Sequence, residues 1–335
     1  MDSNPIKYPI GDLELESGET IQDCQISACI HGESSQTKNN VILVTASLGG
    51  NHRRLDFLIG PNRALDTNRY CIIATDALGN GLSSSPSNSA SQPGILFPKF
   101  SIRDMVASQS QLLDQLSIPR VRCVIGASMG GMQALQWAVS HSKRMDSIVA
   151  LTPMARTPAW SQAITLISRQ ILMTHDDWKD GRISSEVWRG WVALLDIIAC
   201  STPSAISKRL PGNDLREFLE TEIKTLIVNA PDPRDWIWQT LAYDQYDLGT
   251  TPGVRGGTKS ALNNISVPTL ILAAKGDLMN PEAEAKWAAD HIPKSTYYKI
   301  PSKQGHQAAT DIGTMEVNFM NRKIATFLSK HLLSQ

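Results

Sequence analysis

Paired cysteines are missing from this sequence. The five it has, Cys24, Cys29, Cys71, Cys123 and Cys200, are scattered, odd in number and without a CxxC spacing. They read as reduced structural thiols rather than as a disulfide framework or a redox pair. An excess of one charge is missing too: 32 Lys and Arg face 32 Asp and Glu, with no long run of one sign. That leaves no positive field for nucleic acid or an anionic membrane surface. No stretch approaches the roughly 20 apolar residues of a spanning helix. Met1 to Leu15 is polar and acidic, without the basic start and apolar core of a signal peptide. The cytoplasm is therefore the expected compartment. The seven histidines show no HxH or HxxxH spacing, so no metal site is expected. What remains is a 335-residue chain, 41% hydrophobic, able to bury a large core and carry an insertion.

Six short apolar runs recur along it: Val41–Thr45, Tyr70–Thr75, Arg122–Gly126, Ser147–Thr152, Pro268–Ala274 and Thr296–Ile300. Continuous runs of this kind suit strands buried on both faces of a parallel sheet. Helical patterns separate them. Ile102 to Leu116 places Met105, Val106, Leu112, Leu113 and Leu116 on one side, Met132 to Ala138 continues from the third run, and Pro281–His291 and Glu316–Leu333 follow later. The alternation predicts a doubly wound, mostly parallel α/β sheet. Residues 154–265 break the rhythm and hold six of the eight tryptophans, Trp160, Trp178, Trp188, Trp191, Trp236 and Trp238. They read as a helical cap inserted into a core formed by 1–153 and 266–335. The tryptophans are expected to pack the cap, with one or two walling a small-molecule pocket. Asn80 to Pro93, rich in Ser, Asn and Pro, reads as a loop.

Gly126-Ala-Ser128-Met-Gly130 is the segment that carries chemistry. GxSxG alone is a weak string, but here a buried strand precedes it, and Gly131 and an amphipathic helix follow. That is the strand–turn–helix setting of a nucleophile elbow in the α/β-hydrolase fold. A serine hydroxyl needs a base to take its proton and an acid to orient that base. In this fold the chain order is Ser, then Asp or Glu, then His. Asp277 follows the run ending at Ala274. His306, alone among the histidines, sits in a loop after the last strand. The expected triad is Ser128, Asp277 and His306, with Asp290 and Asp311 as weaker rivals for the acid. The oxyanion hole is expected from the amide of Met129, directly after the nucleophile, and from that of Ser47, with Leu48 next in line.

Around the elbow the sequence resembles the homoserine O-acetyltransferase family of α/β hydrolases. The matching segments are Leu58-Ile-Gly-Pro-Asn-Arg-Ala-Leu-Asp-Thr-Asn-Arg-Tyr70, Ser101-Ile-Arg-Asp-Met-Val106 and Val124-Ile-Gly-Ala-Ser-Met-Gly-Gly-Met-Gln-Ala-Leu-Gln-Trp-Ala138. Arg169-Gln-Ile171 resembles the family's cap arginine segment. The resemblance implies an acyl-serine intermediate, ping-pong chemistry with acetyl-CoA as a co-substrate, and a homodimer through the cap. It also implies that Arg169 is a candidate clamp for a substrate carboxylate, suited by its forked guanidinium. Pairing with a nearby carboxylate is the alternative for that arginine.

Two positions depart from the family. There the catalytic histidine is followed by an aspartate that binds the amino group of homoserine; here the next residue is Gln307. A charge-assisted bond contributes about 1.5–3 kcal/mol that a neutral amide does not replace. The family's Arg-Phe-Asp-Ala-Asn-Ser-Tyr cap segment is also absent, and Trp236-Ile-Trp-Gln-Thr-Leu-Ala-Tyr-Asp-Gln-Tyr-Asp247 stands in its region. The expectation is thus a serine-dependent enzyme that hydrolyses a small ester or amide, needing no resident cofactor. Transfer of an acetyl group from acetyl-CoA to homoserine or another alcohol is the alternative. An inactive hydrolase-fold binding protein is the remote one.

Overall fold

Alternate residues of the central strands feed two separate cores. Val41, Leu43, Val124, Ile148 and Ile271 point to one face of the sheet, and Ile42, Val44, Ile125, Val149 and Leu270 to the other. A strand apolar on both sides belongs inside a sheet covered by helices on both faces. The computed structural model describes residues 4–209, 215–227 and 230–330, and shows that arrangement. Eight strands form one sheet: β1 (Ile6–Glu14), β2 (Thr20–His31), β3 (Val41–Thr45), β4 (Cys71–Thr75), β5 (Cys123–Ala127), β6 (Ile148–Leu151), β7 (Thr269–Ala274) and β8 (Ser295–Ile300). Their order is β1-β2-β4-β3-β5-β6-β7-β8. β3 to β8 run parallel, while β1 and β2 pair antiparallel with each other and β2 with β4.

The six apolar runs of the sequence are β3 to β8, each within a residue or two of its expected ends. β1 and β2 are additional. Their burial alternates, with Leu13, Ile21, Cys24, Ile26 and Ala28 inward and polar neighbours outward. A half-exposed antiparallel hairpin has no continuous apolar run to announce it.

The helices are α1 (Ile102–Gln115), α2 (Met129–Ser140), α3 (Ala159–Leu172), α4 (Ser185–Val192), α5 (Pro203–Arg209), α6 (Leu215–Ile227), α7 (Pro233–Asp244), α8 (Gly257–Asn263), α9 (Glu282–His291) and α10 (Thr314–Lys330). α2 begins three residues before its expected start, directly after Ser128. The last three residues of the helix expected over Glu316–Leu333 lie outside the described residues. Between the neighbouring parallel strands β6 and β7 the described chain holds α3 to α8 and a π-helical turn at Ala193–Ala199, with an isolated bridge between Arg156 and Asp247 as its β structure. The region expected as a cap, 154–265, falls here; residues 210–214 and 228–229 of it lie outside the described residues. Ser101 starts α1 with a capping box, its side chain accepting from the Asp104 amide while Asp104 accepts from the Ser101 amide.

Candidate active site

β5 delivers Ser128 into a conformation that L-residues avoid, with φ 57° and ψ −124°. The turn closes because its neighbours are glycine. A Cβ on Gly126 would lie 2.2 Å from the Thr45 hydroxyl and 2.4 Å from the Gly130 backbone. One on Gly130 would lie 2.4 Å from the Thr45 carbonyl. The strain is held by the surroundings: the Ser128 amide donates to the Leu151 carbonyl at 2.9 Å, and the Thr45 hydroxyl donates to the Gly130 carbonyl at 2.8 Å. α2 then starts at Met129, so the unpaired amides of its first turn gather around the serine.

Three side chains from three strand ends meet there. Ser128 Oγ lies 2.9 Å from His306 Nε2, and His306 Nδ1 lies 2.7 Å from Asp277 Oδ2. Asp277 follows β7, and His306 lies in the short helical turn Gly305–Ala309 after β8. All three are buried, with exposures of 4, 4 and 8%. A carboxylate only accepts, so Nδ1 carries the ring proton and Nε2 is left to accept from the serine. Asp277 Oδ1 accepts the Asn280 amide at 2.8 Å. The Asn280 side chain donates to the Thr152 carbonyl at 2.7 Å and accepts from the Tyr243 hydroxyl at 2.6 Å. Burial first, and then the nearby Asp277, raises the Tyr243 pKa well above that of a free phenol, which keeps the hydroxyl a donor.

The loop after β3 is pinned on every side. Ser47 Oγ donates to the Ala127 carbonyl at 2.7 Å, Gln133 Nε2 to the Ala46 carbonyl at 2.9 Å, and Asn80 Nδ2 to the Gly50 carbonyl at 3.1 Å. Gln239 of α7 accepts the Gly49 amide at 2.9 Å. The buried Asp76 accepts the His52 amide at 2.8 Å and faces His52 Nδ1 at 2.9 Å. Among the described residues the amides of Ser47 and Leu48 have no partner. Asp76, His52, Asn80 and Gln239 carry no motif, and nothing in the sequence singled them out. Asn280 had one faint signal, its position three residues after the acid, where a carboxylate can take a backbone amide.

A cavity of about 290 Å³ opens against this loop and the histidine turn. Leu48, Gly49, Gln307, Trp188, Trp191 and Trp236 are among its walls. Of the six tryptophans in the 154–265 region, three wall it. Trp178 and Trp238 are buried elsewhere, and Trp160 is half exposed, its Nε1 donating to the Leu278 carbonyl at 2.7 Å. Arg169 is not in the cavity wall. Its guanidinium is bound by Asp244 of α7 at 2.6 Å, and Thr165 donates to the same carboxylate. The pairing alternative, not an open carboxylate clamp, is the state of this arginine; its Nη1 is buried without a partner among the described residues.

Known proteins are similar to this chain over most of its length. A family model described as the alpha/beta hydrolase fold matches residues 41–187. A homoserine O-acetyltransferase of Corynebacterium diphtheriae is 30% identical over 340 residues, spanning 92% of this chain and 90% of that one. The chain belongs to the homoserine O-acetyltransferase family of α/β hydrolases. It is an enzyme of that fold, and two solved structures similar to this family member carry another activity in their names. The acetyl esterase MekB superposes with a TM-score of 0.89 at 27% identity, over 98% of this chain and 97% of its own. An acetylester hydrolase of Corynebacterium glutamicum reaches the same TM-score at 24% identity, over 97% and 96%, a likeness of fold.

Proposed function

We propose that this member of the family is a serine esterase that hydrolyses a small ester through an acyl-Ser128 intermediate. The unbroken chain from Ser128 through His306 to Asp277 carries the reading. His306 Nε2 takes the hydroxyl proton as Ser128 Oγ attacks the ester carbonyl. The amides of Met129 and Ser47, with Leu48 beside them, receive the negative charge on the carbonyl oxygen. The C–O bond to the alcohol then breaks, and His306 returns the proton to the departing oxygen. Water, deprotonated by the same histidine, releases the acid.

Two observations favour water over an amino-acid alcohol as the acceptor. Gln307, directly after His306, offers no counter-charge to an ammonium held at that position, and Arg169 is occupied by Asp244. Similarity to an acetyl esterase points the same way. The second reading, acetyl transfer from acetyl-CoA to homoserine or another alcohol, is favoured by the family's curated relatives. Following free thiol with acetyl-CoA, with and without homoserine, beside cleavage of p-nitrophenyl acetate separates the two. Ester cleavage indifferent to homoserine is the expected result; thiol release that requires homoserine would overturn the esterase reading.

We also propose a homodimer through the cap. Trp160, Leu166, Ile167 and Met173 of α3 and its end stand about half exposed, a patch that a second copy would cover.

A further inference from the structure

Among the described residues, the walls of the cavity beside Gln307 hold one charged side chain, and it is acidic. The titratable residues among them are Asp196 and Cys200. Burial, and then Asp277 and Asp196 nearby, push the Cys200 thiol up to about 12, so it stays neutral. Asp196 comes from the π-helical turn, and one of its oxygens takes Arg209 at 3.2 Å; Arg209 itself does not line the cavity. The same walls hold three indoles set nearly at right angles. Trp188 and Trp191 are 5.2 Å apart at 88°, and Trp191 and Trp236 4.8 Å apart at 80°. Ring faces carry negative potential and attract cations, most of all tetraalkylammonium groups, whose hydration is weak. An acid and three indoles around one small cavity make a receptor for such a group.

The cavity also borders two parts of the catalytic site, the loop after β3 and the histidine turn. Gln307 directly follows His306, the residue that returns a proton to the leaving oxygen. Gly49 packs against Trp236 closely enough that a Cβ would lie 3.1 Å from its ring. The cavity therefore runs from the oxyanion loop to the histidine turn, beside the residue that would protonate a departing alcohol. We propose that it receives an alkylammonium group carried on the alcohol portion of the ester, held by Trp188, Trp191, Trp236 and Asp196. This rests on the esterase reading above. It separates the substrate from an amino-acid ester, whose carboxylate would meet Asp196 with no arginine among the described lining residues to receive it.

The test compares two esters of one shape, acetylcholine and 3,3-dimethylbutyl acetate, in which carbon replaces the charged nitrogen. The readout is the ratio of their kcat/KM values, with p-nitrophenyl acetate as a separate measure of esterase activity. The wild type should prefer the cation by about tenfold, in the range that cation–π and ionic contacts supply. The ratio should fall towards one in Asp196→Asn and in Trp191→Leu. Because each ratio is internal to one preparation, partial loss of folded enzyme cancels. A wild-type ratio near one overturns the proposal, as does cleavage of p-nitrophenyl acetate with neither matched ester turned over. If p-nitrophenyl acetate is not cleaved either, the esterase reading itself fails. Calorimetry with tetramethylammonium chloride then decides the cavity: binding weakened by Trp191→Leu supports the site, and no binding overturns it.

Discussion

In the proposed mechanism Ser128 acts only while His306 stays in line with it, and that alignment depends on a residue that touches neither. Asn280 offers its amide to Asp277 and ties its side chain to the Thr152 carbonyl and the Tyr243 hydroxyl. Replacing it with alanine leaves the backbone bond but strands the Thr152 carbonyl and leaves the buried Tyr243 hydroxyl only its longer bond to the Met279 carbonyl, 3.3 Å. A stranded buried group costs about 1–3 kcal/mol. Asn280→Ala should lower kcat for p-nitrophenyl acetate by about tenfold with KM little changed, because the acid is misplaced rather than the pocket. A fall confined to KM would show that Asn280 shapes the cavity instead. That Ser128, Asp277 and His306 converge was legible from chain order and from the strand ends they follow. Asn280 and Tyr243 were not, because a supporting hydrogen bond leaves no spacing in the sequence.

Among the elements, the elbow and the joint between α7 and the core make opposite demands on stability. Gly126→Ala would drive a methyl group into Thr45 and the start of α2, where backbone cannot yield. A loss of several kcal/mol is expected, of the size seen for overpacked cores at the upper end of about 1–3 kcal/mol or beyond, and thermal melting checks it. At the other joint, Asp235 of α7 accepts from the Ser87 amide at 3.0 Å and from its hydroxyl at 2.5 Å. Burial outweighs these bonds and raises its pKa to about 7. A carboxyl raised in the folded state favours the protonated form, so its contribution is full below the ordinary carboxylate range. That contribution is lost as pH climbs towards 7. At about 1.4 kcal/mol per unit the loss is at most about 4 kcal/mol. Asp235→Asn should therefore melt higher than the wild type at pH 8 and approach it at pH 4; equal gaps at both would contradict this. The parallel strands and their helices were readable because burial on both faces writes continuous apolar runs. The β1–β2 hairpin was not, because its alternation, broken by bulges near Gly11, resembles a polar leader.

For the molecule as a whole, the proposed chemistry departs from the reaction for which the curated relatives are named. The sheet belongs to the family's α/β-hydrolase fold, while in the proposed reading Gln307, the tryptophan corner and the closed Arg169–Asp244 pair stand where an amino-acid acceptor would need charges. The cap holds most of these changes. Its tryptophans were visible in the sequence, but which three would face the cavity depended on how α4, α7 and the π-helical turn pack. The exposed apolar face of α3 predicts a dimer, which sedimentation would show as a species of twice the chain mass. A monomer at micromolar concentration would remove that face from the account.

The account depends most on Ser128 accepting the acyl group. Enzyme mixed with p-nitrophenyl acetate and quenched in acid should show, by intact mass and peptide mapping, one acetyl group per chain, located on the peptide containing Ser128. The Ser128→Ala enzyme should show none and release no p-nitrophenol above background. An acetyl group on another residue, or turnover by Ser128→Ala within tenfold of wild type, would contradict it.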